Sequence, residues 1–109
     1  MYTIIILFAI AAIIGVLMLL KVVKGENPPI LHAVIHGALA AVALILLILE
    51  FINGGTGLSN AMIVLIVAAL GGFFLIFKHL SGKQVPKNVA FIHAGAAVVG
   101  FVLLLLAVF

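Results

Sequence analysis

Four uninterrupted apolar runs, each long enough to cross a bilayer, fill nearly all of this 109-residue chain. A hydrocarbon core about 30 Å thick takes roughly 20 helical residues. The first run extends from Tyr2 to about Val23 and closes at Lys24-Gly25-Glu26-Asn27-Pro28. Pro29 starts the second, which reaches about Ile52 and stops at Asn53-Gly54-Gly55-Thr56-Gly57, a plain turn signal. The third covers about Ser59 to Leu80, with Ser59 or Asn60 expected as its cap. After Ser81-Gly82-Lys83-Gln84, Pro86 opens the fourth, which continues to Phe109. Proline suits the first turn of a helix, where its missing N–H would be unpaired anyway. The expected fold is therefore all-α and integral to a membrane: one domain, residues 1–109, forming a four-helix up-down bundle.

The composition agrees, with 69% hydrophobic and 6% charged residues. A small water-soluble domain cannot hide that much apolar surface. There is no cysteine, which removes disulfides, thiolate metal sites and cysteine nucleophiles. Tryptophan is also absent, leaving Tyr2 as the sole candidate for an interfacial aromatic anchor. The first run exceeds a signal-peptide core and has no basic region before it, so it reads as a retained span. The net charge of +3 comes from Lys21, Lys24, Lys78, Lys83 and Lys87 against Glu26 and Glu50. All five lysines fall at the turns joining helices one to two and three to four, which argues for topology rather than nucleic-acid binding. By the positive-inside rule those turns are cytoplasmic, and both termini and the glycine-rich middle loop lie outside.

The halves repeat. Sliding the chain by 57 residues lays 2–52 on 59–109 without a gap. The identities include Gly15/Gly72, Lys21/Lys78, Gly25/Gly82, Pro29/Pro86, Ala33/Ala90, His36/His93 and Ala40/Ala97. Leu and Ala matches come cheaply in such a composition; Lys, Gly, Pro and His at one offset do not. The fold expected is a tandem duplication of a helical hairpin. Each copy has two spans, so the copies point the same way, related by a pseudo-twofold axis along the membrane normal.

That symmetry puts His36 and His93 at equal depth on the diagonal helices of an up-down bundle. His36 lies about 10 Å along its helix from Pro29, and Gly15 about 13 Å from Lys24, so the histidines and glycines share a layer. Residues three, four and seven positions away share a helix face. Around the histidines these are small: Ala33, Ala40 and Ala43, then Ala90, Ala97 and Gly100. Helices 8–10 Å apart leave a diagonal of roughly 11–14 Å. Two imidazoles can meet one metal across it with bonds of about 2 Å. The expectation is one haem b per chain, with His36 and His93 as axial ligands. The lysines, Lys21 and Lys78 among them, are expected where its propionates emerge.

In these residues the chain resembles the membrane b-type cytochromes, in which histidines on alternate helices of a four-helix bundle ligate haem. The resemblance covers the helical plan and four positions. It implies His36 and His93 as ligands, Gly15 and Gly72 as residues that let the ring approach the backbone, and quinone or another redox carrier as partner. That family usually stacks two haems, and this chain lacks a second symmetric pair: His32 aligns with Val89, and His79 with Val22. One haem gives no complete electron wire across the bilayer. The chain also looks like small bacterial four-span proteins with a Lys-x-x-x-Gly…Pro…His pattern in each half, which implies a bacterial inner membrane but no activity.

Two other readings share these residues. Small faces also drive plain helix packing, and a histidine can simply tie helices together in a structural or assembly subunit. His32, one turn from His36, would make a transition-metal carrier site with His36 and His93. His32 and His79, near the lysines, are expected at the interface, within reach of propionates. No paired carboxylate, Ser-His-Asp set or phosphate-binding glycine loop appears, so no enzymatic reaction is indicated.

Overall fold

A computed structural model describes all residues, 1–109. It contains four helices: α1 (Tyr2–Val23), α2 (Ile30–Ile52), α3 (Ser59–Leu80) and α4 (Lys87–Val108). All four are long and apolar enough to cross a membrane. Sequential helices pack side by side and α4 closes back on α1, while α1–α3 and α2–α4 are diagonals. Packing is tighter within each hairpin, α1–α2 or α3–α4, than between the hairpins. The bundle is 42 Å long, close to the roughly 40–45 Å of a bilayer with its headgroups.

The helix ends correct three expectations. Pro29 and Pro86 are not the first helical residues but N-caps, with ψ of 137° and 128°. Their carbonyls accept the first helical bonds, from the N–H groups of Ala33 and Ala90. The fixed φ of proline serves either position, and each chain enters its helix extended. Neither Ser59 nor Asn60 caps α3; Leu58 does, through its backbone carbonyl and without a side-chain bond. Leu58 is buried in the core, and that burial outweighs a hydroxyl cap. The fourth helix stops one residue short, at Val108.

Three helix ends carry glycine in the left-handed region: Gly25, Gly54 and Gly82, with φ of +81°, +95° and +75°. At the first, Gly25 N–H donates to Val22 and Glu26 N–H to Lys21; Gly82 and Lys83 do the same to His79 and Lys78. This paired closure satisfies otherwise orphaned carbonyls and turns the chain sharply.

Alanines share the interior with larger apolar residues, and large apolar residues also cover the exterior. Ala11, Ala33, Ala43, Ala61, Ala68 and Ala90 are buried, whereas Ile13, Leu17, Leu31, Leu70 and Phe73 are more than half exposed. Burial follows the 57-residue offset. Ile4 and Ala61, Phe8 and Leu65, Ala11 and Ala68, Ala33 and Ala90, and Leu47 and Leu104 are buried as pairs. The main core lies toward the termini, around Leu47, Leu104, Ile4, Phe8 and Leu65. A smaller one of Val22, Val85 and Ala90 sits near the turns.

A polar clasp joins the two turns. The Asn27 amide donates to the Lys83 carbonyl at 2.9 Å and accepts from the Val85 N–H at 2.8 Å. Gln84, at the matching position, donates back to the Gly25 carbonyl. Asn27→Ala removes two bonds between hairpins and is expected to cost about 1–2 kcal/mol. SDS titration of the detergent-solubilised protein would measure it; an unchanged midpoint would mean the clasp contributes nothing.

A candidate site between the two hairpins

In an α-helix each Cβ leans back over the preceding turn, toward the carbonyl four residues earlier. Glycine at position 15 therefore uncovers the Ala11 carbonyl, and glycine at 72 uncovers that of Ala68. The histidines use both openings. His36 Nδ1 lies 2.7 Å from Ala11 O, and His93 Nδ1 lies 2.7 Å from Ala68 O. A carbonyl can only accept, so each Nδ1 must carry its proton and donate. Each Nε2 is thereby left as an unprotonated acceptor in the neutral ring.

Clearance is tight. A Cβ added at Gly15 would lie 2.9 Å from His36 Cε1, and one at Gly72 would lie 3.1 Å from His93 Cε1. The space over the glycines is thus occupied by the imidazoles themselves, where the resemblance implied room for a ring. The reason is that each histidine leans onto the partner helix of its own hairpin. Gly71, matched by Ile14 in the first half, adds looser room beside His93, with 3.5 Å to its Cβ.

Pinned in this way, the two rings meet across the bundle. Their centroids are 6.2 Å apart and their planes nearly perpendicular, at 83°. They face an apolar cavity of about 520 Å³ bordered by all four helices. Gly15, Gly72, Ala33, Ala40, Ala90 and Ala97 all line it, so the predicted small layer does converge. Phe8, Leu65 and Phe101 border it toward the termini, and Val22, Pro28 and Val85 toward the turns. Its lining includes exposed residues of both inter-hairpin helix pairs, Val16 and Val98 for α1 and α4, and Val34 and Phe73 for α2 and α3. These are the two seams where the hairpins meet. The space is therefore a slot between hairpins, with one imidazole presented from each side.

Other predicted residues fall elsewhere. Neither Lys21 nor Lys78 borders the slot. Lys21 is exposed and pairs with Glu26 at 3.6 Å, and the Lys78 ammonium lies 5.5 Å from the centroid of the Phe74 ring. Each long side chain has found a neighbour on its own hairpin. His79, expected at the interface, borders the slot. His32 lines a separate depression with Lys21 and Lys24, so it does not join His36 and His93. No group of three or more metal-ligating side chains assembles anywhere, and the three-histidine carrier site is not formed.

Sequence reasoning missed the Asn27–Gln84 clasp, although the two amides sit 57 residues apart and that signal was present. No protein-family model, curated protein or solved structure matches the chain, so its chemistry rests on its own geometry.

Proposed function

We propose that the chain is a duplicated four-span membrane protein that binds one haem b in the slot between its hairpins, through His36 and His93. Membrane insertion is supported by the many large apolar residues left exposed on the outside of helices of bilayer length. The lysine turns are cytoplasmic, and both termini lie on the other side. The paired burial and the paired histidine bonds support a pseudo-twofold axis along the membrane normal.

The observation that carries the haem reading is the histidine pair. With both Nδ1 protons committed to carbonyls, the two Nε2 atoms cannot hydrogen-bond to each other while neutral, because neither has a proton to give. Both Nε2 lone pairs are left for an electron-pair acceptor. The ring centroids lie 6.2 Å apart, close enough for His36 and His93 to hold one metal ion together. A histidine whose other ring nitrogen donates to a carbonyl is also the usual form of a metal-bound imidazole, since the bond fixes tautomer and orientation. A flat ligand is favoured because small residues of all four helices line the slot around the rings. His79 at its edge offers a donor for a carboxylate. When bound, the haem iron would supply one-electron redox chemistry. His36 and His93, oriented by the Ala11 and Ala68 carbonyls, would hold it, and the apolar lining would exclude water. A single centre suits one-electron exchange, or the sensing, storage and delivery of haem, near the cytoplasmic face.

An absorption spectrum of the protein purified after expression with ample haem tests this. A Soret band with sharp α and β bands on dithionite reduction is expected, lost in both His36→Ala and His93→Ala. A colourless protein that cannot be loaded would sink the haem reading and leave the histidines as ties within each hairpin.

A further inference from the structure

Away from the slot, a second depression of about 290 Å³ lies on the first hairpin, near its turn. It is lined by Leu17, Leu20, Lys21, Lys24 and His32. Leu17 and Leu20 lie one helical turn before Lys21 and Lys24, so its lining changes from apolar to cationic on approaching the turn. His32 enters from the first turn of α2, a helix start with no side-chain cap, where negative charge is favoured. The one ion pair in the protein, Lys21 with Glu26, leaves Lys24 and His32 without a carboxylate partner.

The second hairpin does not repeat this depression. Its matched positions are Phe74, Phe77, Lys78, Ser81 and Val89, and the Lys78 ammonium turns onto Phe74. A pocket produced merely by hairpin geometry would occur twice. Here the duplication keeps the histidines, glycines and alanines of the slot but gives Lys24 and His32 to one copy alone.

We infer that this depression holds the phosphate headgroup of an anionic phospholipid. Lys21, Lys24 and His32 face the phosphate oxygens, and an acyl chain runs along Leu17 and Leu20. The apolar half distinguishes a lipid from free phosphate. The inference rests on membrane insertion and not on haem; sedimentation with carbonate-washed membranes tests insertion separately.

The full-length protein in detergent, mixed with equal phosphatidylglycerol and phosphatidylcholine, is read by native mass spectrometry. It is expected to retain one phosphatidylglycerol preferentially. K24S/H32V installs the residues of the second hairpin, which fold at the matching positions, and should lower that retention about tenfold with phosphatidylcholine and haem content unchanged. K24S alone should lower it about fivefold, the usual worth of one basic residue at an anionic surface. K87S removes a charge outside the depression and should leave retention intact. Equal retention of both lipids by the parent protein, or equal loss in K87S, would overturn the proposal. Displacement of the lipid by millimolar inorganic phosphate would overturn it too, in favour of a free-phosphate site.

Discussion

Gly15→Leu is expected to leave four helices in place and abolish haem binding. The cause is local. A Cβ at this position already falls 2.9 Å from His36 Cε1 and 3.3 Å from Nδ1, closer than real side chains pack. The ring must move, because the α1 backbone is held by its own helical bonds. Moving it breaks the bond to Ala11 O and changes the ring's position against His93. Gly15→Ala should show the same effect in part, a loss of about 10–100-fold in affinity, as for removing an outer partner of a ligating histidine. Gly72→Ala should cost less, since its contact is 3.1 Å. Gly71→Ala, at 3.5 Å, should be nearly silent. Gly95 is the control: an added Cβ there meets nothing within 4 Å, and alanine is the better helix former. Haem titration followed by the Soret band, with far-ultraviolet circular dichroism for helix content, reads the series. A Gly15→Leu protein that kept its two-histidine spectrum, or a series that ignored the distance order, would show that the pinned imidazoles are not the ligands.

Much of this arrangement is legible in the sequence alone. Length and hydropathy specify the four helices, because a run such as Tyr2–Val23 has no other stable place in a chain this short. The 57-residue offset isolates His36 and His93 from the other two histidines. It also brings Gly15 and Gly72 to their layer, since position along a regular helix converts directly into depth. Rotation is less legible. Whether Gly15 clears space for a ring ligand or for an imidazole depends on which way His36 leans, and several rotamers fit the same spacing. Lys21 and Lys78 depart from their expected places for a similar reason: their flexible stems reach Glu26 and Phe74, local partners that depth alone does not reveal. The N-cap at Leu58 shows tertiary burial overriding a local signal from Ser59. His32 illustrates the limit of the one-turn rule. Four residues separate it from His36 on one helix, yet it lines a different depression, with Lys21 and Lys24 at the end of α1.

The terminal half of the bundle should respond most strongly to loss of volume. Leu47 and Leu104 are both 0% exposed and are matched by the 57-residue offset, in the core that includes Ile4, Phe8 and Leu65. Truncating a buried leucine in a water-soluble core costs about 2–5 kcal/mol, part of it transfer of the side chain from water and part the cavity left behind. In lipid the first part largely vanishes, because an unpacked leucine faces hydrocarbon in either state. The packing part remains, since atoms lining a void have no neighbour on that side to attract them. Leu47→Ala and Leu104→Ala are therefore each expected to lower stability by about 2 kcal/mol in SDS titration, toward the bottom of the soluble range. Leu106→Ala, at a position 73% exposed, should change nothing. Both buried leucines belong to one cluster, so the double variant should deviate from additivity. A bundle folded in water predicts otherwise: the full soluble cost at Leu47 and Leu104. The same pair should also weaken haem retention without shifting its absorption bands. This core fixes the spacing of the hairpins, whereas the imidazoles are oriented locally by Ala11 and Ala68, so a looser core lets the slot open while each histidine keeps its aim.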